Sequence, residues 1–482
     1  LPDSSEMRNT NFEIQEVGSP MSAEQMAKGS DDDIVGLFAE LVDNTEWKHP
    51  IRRWTHEGGS IQASREFARF AASHPGRALR IIPRFQPGLQ ERPAGDALAE
   101  LAKAATVAPE DLLVSLRALD ERGFRSSEFR SSAARCLEEI AERANGLDAT
   151  TCDMLEGWLA DWMPPPRQPE SSPMSRERAN TKEQTESLLW GRDIISLPNG
   201  NYPILDALRL GLLLRDPPDA NGWLTVLERH LEHPENPAVW TALAQHLGAL
   251  ESADRARAFL ARLFTLYPVV LQAPSGVRLV ANTQRWLSFE LRESVVADWL
   301  GGSWQQGPQA AGEVAALRLF RQPDDTAHLR RVEALIDGAD LSPDRAVGAR
   351  LGVTHVLVQA WREPPLRPLA TTLLLRVLPL AVGAVADTWM TVLSRPDSLP
   401  AEQSTQQLLE ALLHHPRLLA GHPMGLLVQN LQSLLRAIWK PALICRIASA
   451  LVDQVGSSLG DMRTSWAANA GELTEIALTL HR

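Results

Sequence analysis

Helical spacing of leucine and alanine is the feature that most constrains the fold of this chain. Apolar residues recur three and four positions apart, as in residues 98–105 and 112–119, and this spacing puts them on one face of a helix. Comparable stripes continue to Leu480, without a long alternating run. Residues 353–358 are β-branched enough for a short strand, but their flanks favour a helix. The sequence therefore predicts an all-α protein.

The rhythm of helix, short Pro/Gly turn and helix indicates how these helices are arranged. Helix pairs at a spacing of about 40 residues are typical of HEAT-like or TPR-like stacking, in which neighbouring pairs complete each other's core. We therefore predict an irregular α-solenoid of HEAT/TPR-like helix pairs in two units. A globular helix bundle remains the alternative.

Composition shifts divide the chain into four parts. Residues 1–50 hold eleven acidic and three basic residues, and residues 1–21 are expected to be an acidic, loosely ordered segment. Residues 22–162 are predicted to form a smaller helical unit and residues 187–482 a larger α-solenoid. Between them, residues 163–186 are rich in Pro, Ser and Arg, which is typical of a linker.

Several helix starts are visible in the sequence. Ser22 and Gln25 fit a capping box, in which a hydroxyl and an amide satisfy each other's free backbone N–H groups. Proline suits a first helical turn because its missing N–H is not needed there. Prolines in this position are expected at Pro109, Pro343 and Pro400.

Charge and hydropathy exclude several classes of protein. The net charge is −12, whereas phosphate binding requires clustered Lys and Arg, so no nucleic-acid partner is expected. The most apolar segment, residues 369–386, is interrupted by Arg376 and Pro379, so no membrane span is expected. The N-terminus shows no signal or transit pattern. These features predict a cytoplasmic protein.

The residue types of one catalytic motif are present in the sequence. Residues 456–460 match the G-x-S-x-G nucleophile elbow around Ser458, and that elbow needs a strand-to-helix turn. The preceding residues 444–455 have helical spacing instead. We therefore expect no enzymatic activity in this chain and no catalytic residue, and a serine hydrolase using Ser458 is the disfavoured alternative.

The chain offers no evident metal, cofactor or nucleotide site. No G-x-x-x-x-G-K-[ST] motif is present. The three cysteines form no C-x-x-C pair and are expected to be buried thiols: Cys136, Cys152 and Cys445. Two groups of histidines lie close enough in sequence to suggest a metal site: His230 with His233, and His414 and His415 with His422. No Cys or carboxylate at a suitable spacing completes either set of ligands. We expect neither a metal ion nor a cofactor.

Tryptophan is abundant, with 14 residues against two tyrosines. Most tryptophans fall within helical apolar stripes, but Trp304 lies in the Gly-rich segment 301–308, which resembles a loop. Trp47 and Trp54 flank a basic connection at residues 48–53. An exposed indole is typical of a contact hot spot, so these three residues are candidates for partner binding. Packing beneath the loop is the competing interpretation of Trp304.

Two groups of segments resemble the helical region of large bacterial STAND NTPases of the NACHT/AVAST antiphage type. The first group comprises residues 58–68 and 72–79, with a similar lead-in at residues 21–34 and Trp47. The second comprises residues 190–195, 199–200, 215–217, 224–234 and 255–256, and Phe259. The resemblance covers roughly residues 15–340 and implies a C-terminal sensor.

In that family an N-terminal effector and a central ATP-hydrolysing module precede the helical sensor, which binds a phage protein. This implies a protein partner, either a phage or other foreign protein or a subunit of a complex, and no small-molecule ligand. We expect any NTPase and effector modules to lie upstream of these residues. Two alternatives stay open: a passive scaffold, and a regulatory protein cleaved by a protease within the linker, near residues 163–181.

Overall fold

A computed structural model describes most of the chain, and the described residues are helical. They are residues 18–41, 58–161, 186–191, 202–231, 243–244, 246–247, 253–394, 398–419, 425–459 and 476. No strand occurs in these ranges, and residues 353–358 lie inside a helix. The all-α prediction is confirmed. Within the same residues, no helix is long and apolar enough to cross a membrane.

The described residues form two compact units. The first contains those of residues 1–167 and 197–256, and the second those of residues 168–196 and 257–482. In the first unit the helices are α1 (Ala23–Lys28), α2 (Asp31–Glu40), α3 (Ser60–Ser73), α4 (Pro75–Ile81), α5 (Glu91–Lys103), α6 (Pro109–Glu121), α7 (Ser127–Ala144), α8 (Ala149–Ala160), α9 (Tyr202–Leu213) and α10 (Ala220–His230).

Helix α11 (Ala253–Leu266) contains the residue at which the two units divide. The helices after it belong to the second unit. They are α12 (Pro274–Thr283), α13 (Phe289–Gly301), α14 (Gly307–Arg321), α15 (Thr326–Asp337), α16 (Pro343–Arg362), α17 (Arg367–Val377), α18 (Ala384–Met390), α19 (Gln403–Leu413), α20 (Gly425–Arg436) and α21 (Pro441–Leu459).

The predicted helix starts are largely confirmed. Ser22 and Gln25 form the expected capping box at α1. Pro109 and Pro343 are the first residues of α6 and α16. The prediction for Pro400 is wrong, because α19 begins three residues later. The Pro400 carbonyl lies outside the helix and accepts hydrogen bonds from the Glu402 N–H at 2.9 Å and the Thr405 hydroxyl at 2.6 Å.

In the first unit, alternate helices pack side by side. Helix α3 packs along α5, α5 along α7, and α7 along α9. The approach of α5 to α7 is close: a Cβ atom at Gly95 would lie 3.0 Å from the Ser132 side chain and 3.2 Å from the Phe129 backbone. An aromatic cluster closes one end of this stack, where Phe38 meets Phe67 and Phe85 edge to face.

Arginine side chains tie helices together across long stretches of sequence. Most of them reach a backbone carbonyl at or beyond the end of an earlier helix, where carbonyl groups lack intrahelical partners. Arg143, for example, donates to the Ala102 carbonyl at 2.7 Å and to the Val107 carbonyl at 2.6 Å. Comparable contacts to earlier carbonyls are made by Arg77, Arg122, Arg278, Arg321 and Arg345.

The contact-based division differs from the boundary that the sequence suggested. Helix α9 groups with the first unit because it packs on both α7 and α8. The Leu147 N–H, just before α8, donates to the Gly211 carbonyl at 2.9 Å, and Arg215 Nε donates to the Leu147 carbonyl at 3.0 Å. Residues 162–185, and with them nearly all of the predicted linker, lie outside the described residues, as do residues 1–17.

In the second unit, two helices meet at backbone distance through glycine. A Cβ atom at Gly352 of α16 would lie 2.0 Å from the Gln309 carbonyl oxygen of α14, and one at Gly312 would lie 2.2 Å from the Ala349 carbonyl oxygen. Real Cβ atoms do not approach this closely, so only glycine permits the contact. Beyond this pair, α16 packs along α17, α17 along α19, and α19 along α21.

We expect Gly352→Ala to destabilise the second unit by about 2 kcal/mol or more, because the added methyl group meets backbone atoms that cannot move independently. Urea denaturation measures the change. Gly301→Ala is the control: nothing lies within 4 Å of its Cβ position at the end of α13, so it should leave stability unchanged or raise it by up to about 1 kcal/mol. Equal effects of the two substitutions would contradict the close contact.

A short segment, residues 186–191, is held on α14 by a buried carboxylate. Glu313 is fully buried and accepts hydrogen bonds from the Leu188 and Leu189 N–H groups, both at 2.9 Å. Gln309 Nε2 donates to the same carboxylate at 3.0 Å, and the Ser187 hydroxyl donates at 3.1 Å. Burial outweighs these hydrogen bonds and raises the pKa of Glu313 to about 7.

The stability of the second unit should therefore fall as the pH rises towards neutrality. Below this pKa the folded chain binds the Glu313 proton more tightly than the unfolded chain, whose pKa stays near the ordinary value of 4.5. Raising the pH from about 5 to about 8 removes up to roughly 3 kcal/mol of this contribution. Glu313→Gln carries no such proton, so its free energy of unfolding should change less over the same range.

Chemical denaturation of both chains at the two pH values measures the difference. Glu290→Gln, at a solvent-exposed position on α13, is the matched control and should follow the parent chain. Parallel pH profiles for Glu313→Gln and the parent would show that Glu313 does not titrate in this range.

Candidate protein-binding groove

Three neighbouring helices of the first unit line a groove of about 680 Å³, called here the polar groove. Each helix contributes side chains spaced three and four residues apart, which is the spacing of one helix face. The lining residues are Ile61, Arg65, Ala68 and Arg69 from α3; Arg92, Asp96, Ala99, Glu100 and Lys103 from α5; and Ser132, Arg135, Glu138 and Glu139 from α7.

The polar groove carries closely mixed charges, five basic and four acidic side chains. Some of these are paired locally: Lys103 meets Glu100 at 2.6 Å within α5, and Arg92 meets Glu128 at 3.4 Å. Such partly exposed pairs contribute at most about 1 kcal/mol each. A partner with complementary charges can therefore replace them at little cost.

Asp96 is central to the electrostatics of the groove. The Ser132 hydroxyl of α7 donates to Asp96 Oδ1 of α5 at 2.8 Å, which links the two helices. Burial raises the pKa of Asp96, while the Ser132 hydrogen bond and the nearby Arg92 and Arg135 act in the opposite direction. Asp96 is thus a partly desolvated acceptor surrounded by cations.

The charged surface continues from α7 onto α9. Burial and the neighbouring Asp206 raise the pKa of Glu138 to about 7, with Arg135 and Arg209 opposing them. Arg209 and Asp206 pair at 2.6 Å on α9. Glu138 therefore changes its charge near neutral pH, so this end of the groove can accept either a proton donor or an acceptor from a partner.

Of the three tryptophans predicted to bind a partner, the structure describes Trp304. Trp304 is half-buried in the loop between α13 and α14, and Arg345 holds this loop through the Leu300 carbonyl at 2.5 Å and the Gly302 carbonyl. Trp47 and Trp54 lie outside the described residues. A role for these residues in partner binding stays a prediction.

The structure also describes part of the predicted serine and histidine motifs. Ser458 lies within α21, so its backbone is helical and does not form the strand-to-helix turn of a nucleophile elbow. His233 and His422 lie outside the described residues. Among the residues that the structure does describe, no three His, Cys, Asp or Glu side chains are grouped to hold a metal ion.

The cysteine prediction is partly wrong. Cys136 and Cys152 are buried as expected, but Cys445 is exposed. Ile444 and Ile447 are fully buried and lie on the face of α21 that packs against the core. Cys445 follows Ile444 by one position, about 100° around the helix, and so faces solvent.

Sequence reasoning missed the polar groove. Its charged residues are spaced by four along each helix, as in Arg65 and Arg69 or Arg135 and Glu139. This spacing is common on solvent-exposed faces of helices. Only the packing of α3, α5 and α7 reveals that three such faces form one groove.

No known protein family, characterised protein or solved structure matches the chain. The resemblance to STAND NTPases therefore stays a prediction.

Removing the Ser132 hydroxyl should raise the pKa of Asp96 further. Ser132→Ala deletes the one hydroxyl that donates to Asp96 Oδ1, and this hydrogen bond favours the ionised carboxylate. Titration of the Asp96 side chain by carboxyl-detected NMR measures the change. Ser131→Ala, at the adjacent position that does not line the groove, should leave the Asp96 titration unchanged. An unaltered Asp96 pKa in Ser132→Ala would refute this description of the groove.

Proposed function

We propose that the chain is a protein-binding helical sensor that recognises a foreign protein in the bacterial cytoplasm through the polar groove. On this proposal it is the ligand-recognition part of an antiviral STAND NTPase. The observation that carries the proposal is the polar groove itself: a large, open, charged surface built from several stacked helices. The sequence resemblance supplies the biological setting.

The packing of the first unit supports an α-solenoid. Alternate helices α3, α5, α7 and α9 lie side by side, as the inner helices of stacked helix pairs do. The arginine contacts support the same arrangement in both units. Arg122, Arg143, Arg321 and Arg345 each reach a carbonyl between 36 and 45 residues earlier, which matches the predicted repeat of about 40 residues.

The chemistry of the groove favours a protein partner with charged side chains of both signs. Mixed charges steer association and fix the register of a complementary surface, while like charges repel a wrong partner. The open volume of about 680 Å³ accommodates several side chains of such a partner. Binding of this kind should weaken with added salt, because the charges involved are largely accessible to solvent.

The test is capture of proteins from phage-infected and uninfected bacterial cells by the immobilised chain, followed by measurement of affinity for the purified partner. Arg65→Glu combined with Arg135→Glu reverses two exposed charges in the groove. We expect this double variant to bind at least about tenfold more weakly, because it loses two attractions and gains two repulsions.

The matched control is Arg80→Glu combined with Arg125→Glu, which changes the net charge equally at exposed positions that do not line the groove. It should retain the parent affinity. Equal affinity of the two double variants would refute recognition through the groove. A partner captured equally from uninfected cells would favour a passive scaffold instead.

A further inference from the structure

A second cavity, of about 240 Å³, lies in the second unit between α12, α13, α14 and α15. Much of its wall is apolar and comes from Val280, Val296, Val314 and Phe289. The Phe289 ring is 61% exposed, so an apolar surface continues from the cavity to solvent. These features allow an apolar group to leave water and enter the cavity.

Cationic side chains complete the wall of the cavity. Arg292, Arg318 and Arg331 all line it, and Glu293 is the one carboxylate in the lining. Glu293 lies 3.9 Å from Arg331. The Arg318 side chain makes no hydrogen bond or ion pair with any residue that the structure describes, although Glu293 and Asp325 attract it at longer range. The cavity therefore has excess positive charge and a half-buried guanidinium group without an anion in direct contact.

The like charges destabilise each other in the absence of an anion. Burial and the adjacent Arg292 lower the pKa of Arg318, while Glu293 and Asp325 act in the opposite direction. Burial and Arg318 likewise lower the pKa of His328, which also lines the cavity. An anion placed between these groups would oppose the lowering of both pKa values.

Two buried donors at the cavity also lack acceptors. Gln284 lines the cavity and is only 8% exposed, and its Nε2 atom has no hydrogen-bond partner in the described structure. Arg292 Nε is likewise buried without a partner. An unsatisfied buried donor costs free energy and calls for an explanation. Gln284 and Arg292 both line the cavity, so acceptor oxygens of a ligand would satisfy these donors once the two side chains turn towards it.

We propose that this cavity binds a small organic monocarboxylate with an apolar body. The guanidinium fork matches a planar carboxylate in shape and charge, and the apolar wall accommodates the rest of the molecule. The volume suits roughly eight to ten non-hydrogen atoms. The apolar wall disfavours inorganic phosphate, which has no apolar surface to place against it.

This site goes beyond the proposed protein-binding function and uses none of the residues of the polar groove. It also departs from the sequence-based expectation of no small-molecule ligand. The residues involved are spread over four helices between Val280 and Arg331, and no short motif connects them. Their common role is visible only in the packed structure.

The probes are benzoate, its neutral isostere benzamide, and acetate, which lacks the apolar ring. Isothermal titration calorimetry and ligand-observed NMR on the full chain measure binding. We expect benzoate to bind with a dissociation constant on the order of 1 mM or tighter. Benzamide and acetate should each bind at least about tenfold more weakly, because one lacks the charge and the other lacks the apolar surface.

Two variants assign the binding to the cavity. Arg318→Gln should weaken benzoate binding at least about tenfold, whereas Arg330→Gln is the matched control, since Arg330 is exposed on α15 and does not line the cavity. Gln284→Leu removes the unsatisfied amide and should keep the fold while weakening benzoate. Circular dichroism melting confirms that each variant is folded.

Three results would overturn the proposal. Equal binding of benzoate and benzamide would indicate an apolar pocket, such as one for a side chain of a protein partner. Unchanged benzoate affinity in both Arg318→Gln and Gln284→Leu would place the binding elsewhere. Absence of benzoate binding up to about 10 mM would exclude the carboxylate site.

Discussion

Burial of apolar helix stripes against neighbouring helices is the constraint on which the rest of the structure depends. A single amphipathic helix of 10 to 20 residues gains little stability in water and needs a partner for its apolar face. In the second unit, α14 and α16 provide such a partner for each other. Their backbones are in contact at Gly312 of α14 and Gly352 of α16, where neither residue has a side chain to separate them. Helix pairs packed so closely fix the relative positions of every side chain around them.

The functional surfaces follow from what this packing leaves uncovered. In the first unit, α3, α5 and α7 bury one face each and align their charged faces into the polar groove. In the second unit, α12 to α15 leave a cavity whose guanidinium groups outnumber its carboxylates. The groove is open and nearly balanced in charge, which suits a protein surface. The cavity is small, partly apolar and short of an anion, which suits a compact ligand.

Arginine side chains are of two kinds in this chain. Some donate hydrogen bonds to acceptors on neighbouring helices, and Arg318 does not. Arg77, Arg143 and Arg345 donate to backbone carbonyls near helix ends and so hold successive helices together. Arg318 has no acceptor among the described residues. Sequence spacing does not separate the two kinds, because each arginine lies in an ordinary helical pattern. The positions of neighbouring carbonyls and carboxylates decide the role.

The sequence by itself determined the helices, several of their start points and the residues of their buried faces, because these depend on the local periods of polarity and on capping residues such as Ser22. It misplaced the start of α19 by three residues, and it misplaced the exposure of Cys445, where a shift of one position along the helix changes which face is exposed. Only the tertiary structure decided that α9 joins the first unit, that three charged faces form a groove, and that Gln284 and Arg318 line one cavity. These features arise from contacts between residues far apart in the chain, and no local pattern encodes which helices become neighbours.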